Sequence, residues 1–199
     1  MPQGKYGENR FTTKQEVIQA GMDYLLQMGA DRICQVCIPN GGSCCLGCRH
    51  LKNGVGCQLR NTSCTAWLCG FQKLIFYEAG LIREWESFWD QVPGQDFRGD
   101  FTPPYFTVHR WLESPDIRFL SEAFAEDLNE LIPQHYSLWI IELKDMLDRY
   151  VNKLLDYSDP EITRKIEKEM KYALKSFQRF QEAKSKLAAS RRIRPENLG

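Results

Sequence analysis

Apolar positions recur along most of the chain with the period of a helix rather than a strand. Val17, Ala20, Tyr24 and Met28 share one face, and Gly29 closes the run. Just before them, Thr13-Lys14-Gln15-Glu16 has capping-box spacing, in which a Thr oxygen and a Glu carboxylate satisfy free N–H groups at a helix start. Leu74, Tyr77, Leu81, Trp85 and Phe88 predict a helix over 71–89, with Gly80 as its weak point. Ser114-Pro115-Asp116 reads as a cap followed by a first-turn proline. Ile117, Leu120, Phe124, Leu128 and Leu131 then form a buried face, which Pro133 ends. Another helix is expected over 136–157, with Trp139, Leu143, Leu147, Tyr150 and Leu154 inward. Ser158-Asp159-Pro160 opens a last, long helix to about residue 190. Its Ile166, Met170, Ala173, Phe177, Phe180 and Leu187 keep a near coiled-coil alternation.

Two stretches break this pattern. Residues 30–70 are rich in turn formers such as Pro39-Asn40-Gly41-Gly42 and Asn53-Gly54, and are expected to be loops. Residues 91–113 read as an aromatic-rich connector packed onto the rest, with Phe106-Thr107-Val108 the single candidate strand. Residues 1–11 read as a loose polar arm. The expected class is all-α, with a loop-rich, metal-stapled cysteine knuckle inserted after the first helix. The division is an arm and helix over 1–29, a cysteine segment over 30–70 and a helical domain over 71–199.

Composition narrows the function classes. The chain has 199 residues, with Lys+Arg 26 and Asp+Glu 26, so neither a strongly basic nor a strongly acidic protein is at hand. Hydrophobic residues at 43% and aromatics at 12% exclude general disorder. No run of 18 apolar residues exists to span a membrane, and no apolar signal core follows Met1. A cytoplasmic location is expected. The charges are not evenly spread: residues 121–160 carry 3 Lys/Arg against 9 Asp/Glu, and residues 161–199 carry 11 against 5. An antiparallel helix pair with complementary faces accounts for this. The sharper alternative is a basic helix that reaches nucleic acid through residues 161–199, with Arg191, Arg192 and Arg194 past the last apolar position.

The cysteines carry the chemistry. All eight lie between Cys34 and Cys69: Cys34-x2-Cys37-x6-Cys44-Cys45-x2-Cys48-x8-Cys57-x6-Cys64-x4-Cys69. A C-x2-C pair lets two thiolates converge on one ion from a tight turn, and two such pairs occur. Eight thiolates suit two four-cysteine zinc sites. They also suit an iron–sulfur cluster with spare thiols, or a mixed set in which His50 replaces one sulfur. In a reducing compartment metal ligation is expected over disulfides. Arg32, Arg49, Lys52 and Arg60 outweigh Asp31 within the segment and can offset excess thiolate charge. Adjacent side chains point apart in extended chain, so Cys44 and Cys45 more easily serve two centres than one. The ferredoxin and covalent-haem spacings are absent.

The Cys34/Cys37 pair, the Cys44-Cys45 doublet with Cys48, Gly56-Cys57 through Cys64, and Trp67-Leu68-Cys69 together resemble the bacterial family of zinc- or iron-chelating cysteine-cluster proteins. The resemblance covers residues 34–70, with a wider gap between Cys37 and the doublet than the family has. It implies metal chelation. Nothing beside it points to a reaction. No G-x-S-x-G, phosphate loop or dinucleotide fingerprint occurs, and Asp90, Asp96 and Asp100 read as solvated loop carboxylates. The expected function is a metal-binding protein whose cysteines hold zinc or an iron–sulfur centre and whose helices meet a protein partner. A nucleic-acid-associated regulator and an iron–sulfur enzyme are the alternatives.

Overall fold

Thr13 caps the first helix as its spacing predicts. Its Oγ1 accepts from Glu16 N at 3.1 Å, and Thr13 N donates back to the Glu16 carboxylate at 2.8 Å. The computed structural model describes residues 9–43, 48–96, 99–113 and 115–193, with side chains as far as Arg191. Within them the class is α-helical, as the periodicity requires. Among the described residues nine α-helices are accompanied by three two-stranded ribbons.

Helix α1 (Lys14–Gln27) turns at Gly29, in the left-handed conformation at φ 79°, into α2 (Ala30–Cys37). The segment 30–70 is therefore not all loop. Ala30, Ile33 and Cys37 recur at helical spacing and are buried on α2, which packs on the helix over 118–131. Cys37 counts as an apolar position in that pattern as well as a candidate ligand. Beyond it come strands β2 (Leu51–Lys52) and β3 (Gly56–Cys57), paired antiparallel, and a short α3 (Thr62–Ala66) capped by the Asn61 side chain.

The helix expected over 71–89 is two helices, α4 (Gly70–Glu78) and α5 (Ile82–Trp89). Gly80 at φ 63° makes the break. Strands β4 (Gln95–Asp96) and β5 (Gly99–Asp100) form a second ribbon. Strand β6 (Tyr105–Val108) contains the expected Phe106-Thr107-Val108 and pairs antiparallel with β1 (Arg10–Thr13). The end of the expected loose arm is thus a strand.

Helix α6 (Arg118–Leu131) starts later than its proline suggests, and Ser114, the expected cap, lies outside the described residues. A 3-10 turn at Ile132–Gln134 contains Pro133 and leads to α7 (Trp139–Asp156). The expected long last helix is also two: α8 (Pro160–Ala173) and α9 (Gln178–Ile193). Leu174 and Phe177 keep the apolar phase across the break and are both buried. One apolar cluster runs from Val17 on α1 to Leu187 on α9, taking in Cys37, Leu68 and Cys69.

The acidic and basic stretches meet where α9 lies on α6. Arg179 reaches Asp127 at 3.0 Å and Glu130 at 2.6 Å. Lys184 pairs with Glu78, and Arg191 donates to the Ala79 carbonyl at the end of α4. These contacts turn part of the basic tail inward. Arg194 and the Arg192 side chain lie outside the description. Asp127 is buried, and its second oxygen accepts from Phe180 N at 2.9 Å, so a residue of α6 caps the first turn of α9. Asp127→Ala removes this cap and leaves Phe180 N without its acceptor. It is expected to cost about 1–3 kcal/mol by urea unfolding, whereas an exposed change such as Lys186→Ala stays within about 0.5 kcal/mol. No helix among the described residues is long and apolar enough to cross a membrane.

Candidate metal centre

Helix α2 places Cys34 and Cys37 three residues apart, on one side of the helix. Cys37 is 8% exposed. Its carbonyl accepts from Asn40 N at 3.2 Å and from Gly42 N at 2.9 Å, which folds the chain back over the end of α2. Gly42 then lies on the Cys37 sulfur: a Cβ at residue 42 would stand 2.0 Å from Cys37 Sγ. Only glycine permits that approach. The next residue, Ser43, is tied through its carbonyl to Lys144 Nζ on α7 at 2.9 Å. Chain leading into the Cys44-Cys45 doublet is thereby held between α2 and α7.

Cys69 belongs to the same region. It is the N-cap of α4 and is 5% exposed. Gly70 sets α4 hard against α7, where a Cβ would stand 1.9 Å from the Lys144 carbonyl oxygen. Gln72, 4% exposed, joins the two helices that carry these cysteines. Its Oε1 accepts from Cys69 N at 3.4 Å, its backbone N–H faces the Cys69 sulfur in a capping-box arrangement, and its Nε2 lies 3.9 Å from Cys34 Sγ.

Cys48, Cys57 and Cys64 are half-buried. The Cys48 carbonyl accepts from Leu51 N at 3.0 Å at the start of the β2–β3 ribbon, and Cys57 stands opposite Leu51 in register. Gly56, at φ 103°, brings the ribbon onto Ile38 just past Cys37. Cys57 Sγ donates to the Leu59 carbonyl at 3.0 Å. Cys64 sits in the first turn of α3, its N–H donating to Asn61 Oδ1 at 2.7 Å. Cys57 and Cys64 border a cleft of about 660 Å³, together with Trp67, Gln72, Ile141 and Lys144. His50 Nε2 accepts from Arg49 Nε at 3.1 Å.

Six of the eight candidate ligands are thus placed, and Cys44 and Cys45 lie outside the described residues. Among the described residues no three Cys, His, Asp or Glu side chains stand close enough to hold an ion. The donor chemistry still suits a soft cation, since the described groups supply thiols and N–H donors aimed at sulfur. The Gly42 and Gln72 contacts are not visible in cysteine spacing. Gln72 had one usable signal, because it stands three residues after a helix-capping Cys69.

The support for Cys64 comes from a carboxylate read from sequence as solvated. Asp100 accepts from Thr62 Oγ1 at 2.9 Å and Thr102 N at 3.2 Å, and it pairs with Lys14 at 2.8 Å. Thr62 Oγ1 also lies 2.8 Å from Thr102 Oγ1, and Ser63 Oγ donates to the Gly99 carbonyl at 3.0 Å. This network pins α3 to the connector and to α1. Burial alone raises the Asp100 pKa, but hydrogen bonds from Lys14, Thr62 and Thr102 outweigh it, and the pKa is lowered. A carboxyl with a depressed native pKa stabilises the fold above its unfolded value, near 4, and that contribution is lost as pH falls through the native value. Asp100→Asn is expected to lower stability at neutral pH by about 1–2 kcal/mol and to flatten the acid limb of the stability profile, measured by urea unfolding from neutral to strongly acid pH.

Comparison with family models, with curated proteins and with solved structures gives no match to this chain. The functional reading therefore rests on the geometry.

Proposed function

We propose that this protein binds metal through its cysteine segment, with zinc as the first candidate and an iron–sulfur cluster as the second. The observation that carries the reading is the burial pattern of residues 38–61. Among the described residues there, only Gly42 and Gly56 are buried, while Val55 is 56% and Leu59 61% exposed. No described apolar side chain in the run is fully buried; Ile38 and Leu51 are half-buried. A two-residue ribbon is marginal by itself. Cysteines stand at both borders of the run, at Cys34 and Cys37 before it and Cys64 and Cys69 after it, with Cys44, Cys45, Cys48 and Cys57 inside. Metal–thiolate bonds supply the missing order, on the order of 10 kcal/mol for a structural zinc site.

Cys37 and Cys69 are buried, while Cys34, Cys48, Cys57 and Cys64 are half-buried.

The test is elemental analysis and visible absorption of protein purified without oxygen, with thiol titration before and after denaturation. Colourless protein carrying zinc with masked thiols supports the first candidate, and brown protein with thiolate-to-iron absorption supports the second. Metal-free protein with all eight thiols reactive overturns the reading. A metal-dependent, salt-sensitive affinity for generic DNA would extend it toward the exposed basic residues of α8, including Lys165, Lys168 and Lys171.

A further inference from the structure

The cations of the basic stretch are used unevenly. On α9, Arg179, Lys184 and Arg191 turn inward onto α6 and the end of α4. On α8, Arg164, Lys165, Lys168 and Lys171 are exposed, as is Lys175 in the turn that follows. Among the described residues none of these five has an ion pair. Glu161 and Glu167 stand four residues before Lys165 and Lys171, the spacing at which a helix pairs charges, and neither pair forms. Helix α8 also packs on α7 with no salt bridge between them. Intramolecular pairing therefore accounts for α9 and leaves the cations of α8 unexplained.

Their placement is ordered. Ile166 and Met170 are buried one turn apart and fix the core side of α8. The opposite side carries Arg164, Lys168 and Lys171 at i, i+4 and i+7, with Lys165 and Tyr172 alongside, over about 10 Å of helix. The carboxylates lie elsewhere. Glu161 is in the first turn, where the positive helix end favours it. Glu167 faces Tyr77 of α4 and Glu169 faces Tyr150 of α7; burial first, and then these carboxylates, raise the two phenol pKa values. The negative end of the helix accounts for a cation in the last turn, Lys171, but not for Arg164, Lys165 and Lys168. Tyr172 is 79% exposed, more than any other large aromatic or aliphatic side chain described, and it lies within the cationic stripe.

A row of unpaired cations complements a polymer of regularly repeated negative charge. An anionic membrane would fit a helix that inserts its apolar face, but Ile166 and Met170 are committed to the core. An exposed phenol ring among lysines instead matches base stacking beside phosphate contacts. In a duplex the base faces are already stacked, so the ring favours an unpaired strand. We propose that the outward face of α8 binds single-stranded nucleic acid, with Arg164, Lys165, Lys168, Lys171 and Lys175 on phosphates and Tyr172 under one base. This stands apart from the metal reading, since no cysteine lies on α8.

The test is fluorescence anisotropy of full-length protein with a labelled mixed-sequence single strand of about 20 nucleotides, from about 50 to 200 mM salt, beside a duplex of the same length and phosphatidylserine-containing vesicles. Wild type is expected to bind the strand with Kd of about 1–100 µM, more weakly as salt rises. Arg164→Gln/Lys165→Gln/Lys168→Gln should weaken it at least about 10-fold and lower the salt slope by about 2, because each neutralised phosphate of a single strand contributes about 0.7. Arg149→Gln/Lys153→Gln/Lys186→Gln removes three other exposed cations and should keep both. Tyr172→Ala should weaken strand binding about 5- to 100-fold at an unchanged salt slope, with Tyr172→Phe close to wild type. All these positions are exposed, so urea midpoints should stay near wild type. Wild type that binds no strand at low salt overturns the proposal, as do equal losses in the two triple variants. Tighter binding to duplex or to vesicles than to the strand, with Tyr172→Ala silent, overturns it as well.

Discussion

Phe180→Asp is expected to abolish cooperative folding. Phe180 is fully buried and meets Phe124 edge-on, with ring centroids 5.2 Å apart. Phe124 in turn stacks on Phe177 at 5.0 Å and contacts Phe71 at 5.3 Å. These four rings join α4, α6 and α9, along with the turn between α8 and α9. Truncating a buried Phe to Ala costs about 3–5 kcal/mol. Aspartate at the same place adds the penalty for burying a carboxylate without a cation. The sum is comparable with the whole stability of a typical domain, about 5–15 kcal/mol. Phe180→Leu keeps most of the apolar volume and should remain folded at reduced stability. Far-UV circular dichroism and urea titration check both variants. A Phe180→Asp protein with a wild-type urea midpoint would show that α9 does not belong to the core.

Some of this architecture is legible in the chain and some is not, and the division follows the range of the interactions. The Thr13–Glu16 capping box is local, so its spacing alone places the start of α1. The face of α6 is legible for the same reason, whereas on α7 only Leu143 and Leu147 of the expected face are buried and Ile140 and Val151 join them. The break between α8 and α9 is not. Leu174 and Phe177 stay in phase with Met170 and Phe180, no glycine or proline marks the turn, and the cap on Phe180 N comes from Asp127 more than fifty residues earlier. The β1 strand is hidden similarly, because its partner β6 lies across almost the whole first half of the chain. For the candidate site, spacing singles out the candidate ligand type but not the neighbours. It cannot show that Gly42 lies on the Cys37 sulfur, that Gln72 spans two cysteines, or that Asp100 is a structural hub instead of a solvated loop carboxylate. It also hides α2, because Cys37 serves the apolar pattern and the candidate ligand set together.

On the metal reading, chelation is expected to open residues 38–61 to protease while α6 to α9 stay helical. Ordering backbone costs about 1–2 kcal/mol per residue, and the described side chains of this run offset little of that by burial. Among the described residues its tethers to the rest of the chain include the Ser43–Lys144 bond, the Asn40 and Gly42 N–H bonds to the Cys37 carbonyl, and the Asn61 cap on Cys64. Arg49 and Lys52 are exposed and Arg60 half-exposed, so trypsin has three sites inside the window. On the metal reading, chelator treatment of reduced protein should speed cleavage there by more than an order of magnitude, in keeping with a structural site worth on the order of 10 kcal/mol. The rings around Phe124 contain no residue from the run, so most of the helical signal and a cooperative unfolding transition should survive. Gly42→Ala should behave like chelation, because its Cβ cannot occupy the place 2.0 Å from Cys37 Sγ without displacing that sulfur or the chain that covers it. Mass-mapped limited proteolysis of untreated protein, chelated protein and the Gly42→Ala variant measures all three under one condition. Chelated protein cut at the same rate as untreated protein, with its thiols newly reactive, would show that the run is ordered by contacts other than metal–sulfur bonds.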